Sequence, residues 1–412
     1  MLPRQRAILA IAALCVTGLV ATSAPAHAQP KPRLSASQLA ARVSKALKGS
    51  TAAHVDYTFH IADVGNISHA PKHATAPASN EKLFTTITLL KLVGSQFRYT
   101  TTISGTAPIK NGTLHGDLVL TAAGDPTLTG TDLRSFAKRL HAKGLRHVTG
   151  RLVVDDTRYS HTTRVSGWKH KFVPEESGTV DAFAVDGDEW RSGNAFEADP
   201  TPDNAQLWRH ALNKSHITVG KTLIEKAPPG LHHLVTHRSA ALSSIVADTL
   251  TNSVNFYAEM MLREAGAQLT GHGGAASGVA AEHEVAGELG LPLGTVHDGS
   301  GLSYTDRETP ATIVAWLKKL KTLSSYDTVY FGLPLSCDTG TLEGRLCGPN
   351  VRGRIRAKTG TLDHNSALSG YFQARSGDFV TFSILASGFK DKNFTKIYNH
   401  VDAAIEVVAR SG

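Results

Sequence analysis

An α+β fold is predicted for this chain, and three stretches carry the prediction. In the last third, Ile355 to Leu362, Ala367 to Ala374 and Val380 to Ser387 are strand-like runs joined by turn residues such as Ser376-Gly377-Asp378, the pattern of a meander. They lead into a run that sets Ile397, Val401, Ile405 and Val408 on one stripe of a helix, a face suited to packing on a sheet. Its polar side is not strongly basic, which disfavours membrane attachment. At the other end the periodicity reads as helix from Leu34 to Leu47, strand from His54 to Val64, and helix again from Ser79. With 412 residues, 41% hydrophobic and 19% charged, the chain can bury a sizeable core in two or three domains.

Between these ends the character changes. After Tyr99 come short alternating runs punctuated by glycine, Thr101 to Gly105, Leu114 to Leu120 and Arg151 to Val154, with one helical run from Asp132 to Lys143. Residues 101–235 therefore read as a small inserted domain of mixed α/β character, ending near the Pro228-Pro229-Gly230 turn. A discontinuous domain of 30–100 and 236–412 surrounds it. Helical periodicity returns as one run from about Leu242 to Ala265, and Gly271 to Gly278 reads as a flexible Gly/Ala-rich connector. The turn-rich Asp298-Gly299-Ser300-Gly301-Leu302-Ser303 follows, and Pro310 opens a helix to about Leu320.

The first thirty residues stand apart. Arg4 and Arg6 precede an apolar run from Ala7 to about Val20, then Ala26-His27-Ala28 has the small-x-small form of a cleavage site. Residues 1–28 read as a secretory signal peptide cut after Ala28; the apolar run falls short of the ~20 residues of a membrane span. No later segment is long and apolar enough to serve as an anchor, so an exported protein is expected, periplasmic, extracellular or wall-associated. Cleavage leaves Cys337 and Cys347, where a disulfide would stabilise by roughly 3 kcal/mol on the loop-entropy estimate. Two unpaired thiols are the alternative, since spacing does not report geometry. The net charge of +8 would suit nucleic acid in a cytosolic protein, but export argues against that partner, and the basic residues are scattered. They suit weak attraction to an anionic surface such as a cell-wall polymer. Twenty histidines invite a metal search, yet no His-Glu-x-x-His occurs and His232, His233 and His237 lack a flanking acidic ligand. No metal or cofactor is expected.

The chemistry centres on Ala78-Ser79-Asn80-Glu81-Lys82. Residues three apart share a helix face, so Lys82 stands one turn from Ser79. A serine hydroxyl is a poor nucleophile, and a partly desolvated lysine sheds its proton readily enough to take the hydroxyl's. The positive end of the helix would lie where an oxyanion forms. Spacing alone is weak, for Ser135 and Lys138, Ser166 and Lys169, and Ser387 and Lys390 repeat it. Two further elements strengthen it. Ser253-Val254-Asn255 sets a hydroxyl and an amide close together, although Ser192-Gly193-Asn194 has the same form. Lys358-Thr359-Gly360 occurs once, within an expected strand, and offers a cation, a hydroxyl and a close approach to the backbone.

Serine-x-x-lysine, Ser-x-Asn and Lys-Thr-Gly in this order form the set of serine β-lactamases and penicillin-binding proteins. Taken with longer strings, the chain resembles the class C low-molecular-mass penicillin-binding proteins, the D-alanyl-D-alanine carboxypeptidase/endopeptidase group. Those strings are Pro77-Ala78-Ser79-Asn80, Gly116-Asp117-Leu118, Gly124-Asp125-Pro126-Thr127-Leu128, Asn255-Phe256-Tyr257-Ala258-Glu259, Asp298 to Ser303, Gly340-Thr341-Leu342 and Ala357 to Leu362. The resemblance covers most of the mature chain. Two departures stand out: Val254 where relatives often carry aspartate, and Glu81, a charge beside the lysine that helical geometry places off its face. The separation of 174 positions from Ser79 to Ser253 suits one inserted domain rather than two.

The resemblance implies a transpeptidase/β-lactamase-like domain, an antiparallel sheet flanked by helices, acting on peptidoglycan stem peptides. It implies Ser79 as nucleophile, Lys82 as base, Ser253 and Asn255 as proton carrier and orienter, and Lys358, Thr359, Gly360 and Thr361 around the substrate carboxylate and oxyanion. β-Lactams are the implied inhibitors. A serine β-lactamase is the alternative, disfavoured by the insert and the longer strings; a non-catalytic wall-binding protein is another, against which the intact motifs argue.

Overall fold

The computed structural model describes residues 34–160, 165–188, 200–390 and 393–411. The signal peptide expected over 1–28 and the Ser192-Gly193-Asn194 triplet lie outside the described residues.

The main sheet is antiparallel throughout and has the strand order Ile355–Leu362, Asn365–Gln373, Phe379–Ser387, His54–Ile61, Gly65–His69. The C-terminal meander thus pairs with the first strand of the chain, His54 opposite Ser387. Side-chain alternation splits the sheet into two buried faces. Tyr57, Phe59, Ile61, Leu368, Phe372, Phe382 and Ile384 pack with helices Ala36–Leu47 and Phe394–Ala409, whose stripe of Ile397, Val401, Ile405 and Val408 is buried there. Ala367, Tyr371 and Leu385 meet the opposite helices, including Glu81–Val93 and Pro310–Leu320. Phe59 stacks on Phe382 across the paired strands at 5.8 Å between centroids, and burying each such ring contributes roughly 1.5–3 kcal/mol. Ser35 begins the first helix with a capping box closed by Gln38.

Three sequence expectations differ from the structure. The first strand ends at Ile61, turns at Asp63 with φ 62°, and returns as Gly65–His69, whose single apolar residue, Ile67, left no alternation to detect. The helical run from Leu242 is two helices, Leu242–Asn252 and Asn255–Thr270, parted at Ser253 by a left-handed backbone of φ 61° and ψ 38°. Gly271 to Gly278 is no flexible connector, for helix Ala275–Leu289 starts inside it. A Cβ at Gly278 would come within 2.4 Å of the Leu262 carbonyl, so this glycine serves close helix packing.

Residues 100–238 carry a second five-stranded sheet, in the order His232–Arg238, Thr100–Gly105, Leu118–Thr121, Leu152–Asp155, Thr222–Ile224. Its first three strands are antiparallel neighbours and its last three parallel ones. Helices Gly130–Ala142 and Thr201–Lys214 cover it, with Phe136 edge-on to Trp208. The sheet continues past the Pro228-Pro229-Gly230 turn to Arg238, which pairs with Thr100. A buried junction joins it to helix Asn255–Thr270: Glu264, fully buried, accepts hydrogen bonds from Arg158 at 2.5 and 2.9 Å and from Tyr159 Oη at 2.7 Å.

Candidate active site

The turn bearing Ser79 is built before its helix. Ala78 has φ 48°, a left-handed conformation that costs an alanine on the order of 1–2 kcal/mol. A short 3-10 turn over Ala78–Asn80 then runs into the α-helix Glu81–Val93. Asn80 Nδ2 donates to the Lys358 carbonyl at 3.2 Å and ties the turn to the edge strand Ile355–Leu362. Gly301 backs the turn, where a Cβ would lie 1.9 Å from the Ala78 carbonyl oxygen.

Lys82 follows one turn after Ser79 with its amine 2.9 Å from Ser79 Oγ, 2.7 Å from Asn255 Oδ1 and 2.6 Å from the Ser300 carbonyl oxygen. The Asn255 amide orientation follows from its other end, Nδ2, which donates to the Glu176 carbonyl at 2.8 Å. Asn255 Oδ1 and Ser300 O can only accept, so they take two N–H groups of Lys82. In the neutral amine this leaves the lone pair for the Ser79 hydroxyl proton. Burial disfavours the ammonium and lowers the Lys82 pKa to about 8, against the opposing pull of Asp298, then Glu259 and Glu176.

The break between the two helices puts Ser253 at the end of Leu242–Asn252 and Asn255 at the start of Asn255–Thr270. Val254, between them, packs toward the core of the second sheet, which explains an apolar residue there. Lys358 Nζ donates to Ser253 Oγ at 2.8 Å and to the Thr359 carbonyl at 2.9 Å. Burial, then the neighbouring Lys82 charge, pushes its pKa well below the ordinary lysine value. Thr359 Oγ1 donates to Thr341 Oγ1 at 2.7 Å. At Gly360 a Cβ would sit 2.9 Å from the Pro77 carbonyl, so glycine lets the strand and the Ser79 turn approach. The Thr361 side chain is exposed and shares a 2.9 Å hydrogen bond with Tyr398. Residues 334–336 cover the strand edge opposite 355–357, through Ser336 N to Ile355 O and Ala357 N to Pro334 O.

Glu81 lies in an environment that sequence reasoning did not foresee. It is fully buried, neither carboxyl oxygen has a hydrogen-bond partner among the described residues, and its pKa stands well above the ordinary value. Burial is the main cause, followed by Glu282, Asp306, Glu308 and Asp298. A neutral Glu81 exerts little pull on Lys82. Ser300, Asp298, Thr341, Trp168 and Glu176 also touch this network without having been assigned a part; the turn-rich Asp298 to Ser303 string and Gly340-Thr341-Leu342 were the available signals. Cys337 and Cys347 form a disulfide that closes the loop holding Thr341. Among the described residues no cluster of His, Cys, Asp or Glu is arranged to hold a metal, and no helix is long and apolar enough to cross a membrane.

Comparison with known proteins places the chain in a family. The model of the D-Ala-D-Ala carboxypeptidase 3 (S13) family matches residues 36–179 and 183–408. The chain is 27% identical over 395 residues to the D-alanyl-D-alanine carboxypeptidase of Actinomadura sp. (strain R39), covering 76% of this chain and 73% of the relative. It is 22% identical over 384 residues to D-alanyl-D-alanine carboxypeptidase DacB of Haemophilus influenzae, covering 76% and 80%. The fold matches the crystal structure of penicillin binding protein 4 (dacB) from Haemophilus influenzae with TM-score 0.79 at 20% identity, over 89% of this chain and 99% of that one. A structure of the latter protein complexed with a β-lactam matches with TM-score 0.75 at 21% identity, over 90% and 100%.

Proposed function

The chain belongs to the D-Ala-D-Ala carboxypeptidase 3 (S13) family and is a serine DD-peptidase, and on that premise we propose that Ser79 is its nucleophile and Lys82 its general base. The observation that carries the assignment is the Lys82 amine, whose two acceptor-only neighbours turn its remaining position to Ser79 Oγ. Neutral Lys82 takes the hydroxyl proton as Ser79 Oγ attacks the carbonyl carbon between two D-alanines of a stem peptide. The backbone N–H groups of Ser79 and Thr361 hold the oxyanion. As the C–N bond breaks, the leaving amine receives its proton through Ser253, which Lys358 contacts. Water then attacks the acyl-enzyme and frees the shortened peptide.

Lys358 and the Thr359 hydroxyl bind the terminal carboxylate, with Gly360 allowing the peptide close to the strand. A carboxylate placed beside Lys358 favours its ammonium and reverses the effect of burial, so substrate binding and protonation of this lysine reinforce each other. β-Lactams acylate Ser79 because their strained amide presents the same carbonyl to the same groups. The stem peptides of an exported cell wall are the natural substrate, and the protein acts outside the cytoplasmic membrane.

Release of free D-alanine from a peptide ending in D-alanyl-D-alanine tests the reading. The wild type is expected to release it, and Ser79→Ala to lose about three orders of magnitude or more in kcat. Equal activity in the two proteins would remove Ser79 from the chemistry.

A further inference from the structure

Both acceptors that orient the Lys82 amine are held in place by one segment of residues 100–238. Ser300 belongs to a turn organised by two buried carboxylates. Glu259 Oε1 accepts from the Gly299 and Ser300 amides at 3.0 and 2.8 Å, and Asp298 accepts from the Gly301 and Ser303 amides at 2.7 and 2.9 Å. Arg263, itself buried, pairs with Glu259 at 2.7 Å. Asp298 Oδ2 also accepts from a donor of the inserted segment, Trp168 Nε1, at 2.5 Å. The tryptophan arrives on a backbone laced to the same turn, with Ser303 Oγ donating to Ser166 O at 2.8 Å and Tyr304 N to Gly167 O at 3.2 Å. Eight residues further on, the Glu176 carbonyl accepts from Asn255 Nδ2 and so aims Asn255 Oδ1 at Lys82.

We propose that residues 166–176 are a positioning element for the catalytic base, with Trp168 acting through Asp298 and the Ser300 carbonyl, and Glu176 acting through Asn255. The inference rests on Lys82 being the base. A sequence insert that only placed the enzyme on its polymer would not need to hold these two acceptors. Removing the Trp168 donor has two consequences. The Ser300 carbonyl loses part of its restraint, and small misplacements of a catalytic group cost rate steeply. The Asp298 charge also loses a compensating N–H and pulls harder on the Lys82 proton. The other titratable groups facing Lys82 are Glu259, Glu176, the neutral Glu81 and the amine of Lys358, and the substitution leaves all of them in place.

The test is the rate constant for acylation by saturating benzylpenicillin, measured from pH 6 to 10 in the wild type and Trp168→Phe. The variant is expected to acylate about tenfold or more slowly, with the rise in rate displaced to higher pH and the concentration for half-saturation changed less than about twofold. Asp298→Asn, alone and combined with Trp168→Phe, tests the route: the double variant should be no slower than Asp298→Asn. Should Trp168→Phe fold poorly, Ser303→Ala loosens the same segment at the Ser166 carbonyl and carries the same expectation. An unchanged rate constant and pH profile, a change confined to half-saturation, or additive losses in the double variant would each overturn the proposal. A wild type that benzylpenicillin does not acylate would instead remove the reading of Ser79 and Lys82 beneath it.

Discussion

Raising the pH from 6 to 9 titrates the proposed general base, the amine of Lys82, and the size of the effect follows from its burial. The side chain is fully buried, and loss of hydration brings its pKa from the ordinary 10.5 to about 8 in spite of nearby carboxylates, Asp298 foremost, that favour the ammonium. Only the neutral amine can accept the Ser79 proton. Its fraction is ~1% at pH 6, ~10% at pH 7, about half at pH 8 and ~90% at pH 9. The acylation rate constant should therefore rise about tenfold from pH 6 to 7, about fivefold from 7 to 8, and less than about twofold from 8 to 9. Lys358 titrates in the same site, and each amine disfavours the charge on the other, so the midpoint belongs to the pair. Working at saturating benzylpenicillin removes the binding step, where the proposed role of Lys358 on the carboxylate lies. Quenched-flow sampling with intact-mass detection gives the rate constant directly. A flat profile from pH 6 to 9, or one still rising about tenfold per unit between pH 9 and 10, would refute the argument from burial.

Other consequences reach beyond the pH profile. Glu81 keeps its proton in the fold well above the pH at which the unfolded chain releases it, so its contribution to stability is fully present at low pH and is lost as pH rises toward the raised value. Glu81→Gln, close in shape to the neutral acid, should flatten the loss of stability between pH 5 and 8 by up to ~1.4 kcal/mol per pH unit, read from urea unfolding; parallel slopes would contradict a buried neutral carboxyl. Reducing the Cys337–Cys347 disulfide, which spans a sequence separation of 10, should cost roughly 3 kcal/mol and lower the thermal midpoint. Because Thr341 lies inside that loop and accepts from Thr359, reduction should also raise KM for a D-alanyl-D-alanine peptide. An unchanged midpoint and KM would show the staple to be without effect on the strand it flanks.

What was legible in the sequence was whatever repeats locally. The meander from Ile355, the stripe on the last helix and the Ser79 to Lys82 spacing depend on periods of two or of three to four residues, which survive without tertiary knowledge. The approach of Lys358 to Ser253 and of Asn255 to Lys82 could be expected only from the resemblance, since the chain between them says nothing of distance. Misreadings arose where tertiary packing overrode local pattern. Ser253 takes a left-handed conformation with no glycine or proline to announce it, so two helices looked like one. Gly278 looked like a flexible linker because a glycine needed for close helix contact has the same letter as one needed for freedom. Helical spacing places Glu81 off the face of Lys82 but says nothing of what covers it, and its burial first, then the acids gathered from Glu282 to Glu308, make it neutral. Trp168 and Glu176 gave no signal, because their contacts lie more than seventy residues away along the chain.

The central claim, that Ser79 is the acylated nucleophile, is met most directly by the intact mass of the mature protein incubated with benzylpenicillin beside a Ser79→Ala control. The account predicts an adduct of one drug mass in the wild type, mapping to the peptide that contains Ser79, and none in the control. An adduct that persists in Ser79→Ala, or a wild type that leaves both its own mass and the drug unchanged, would contradict it.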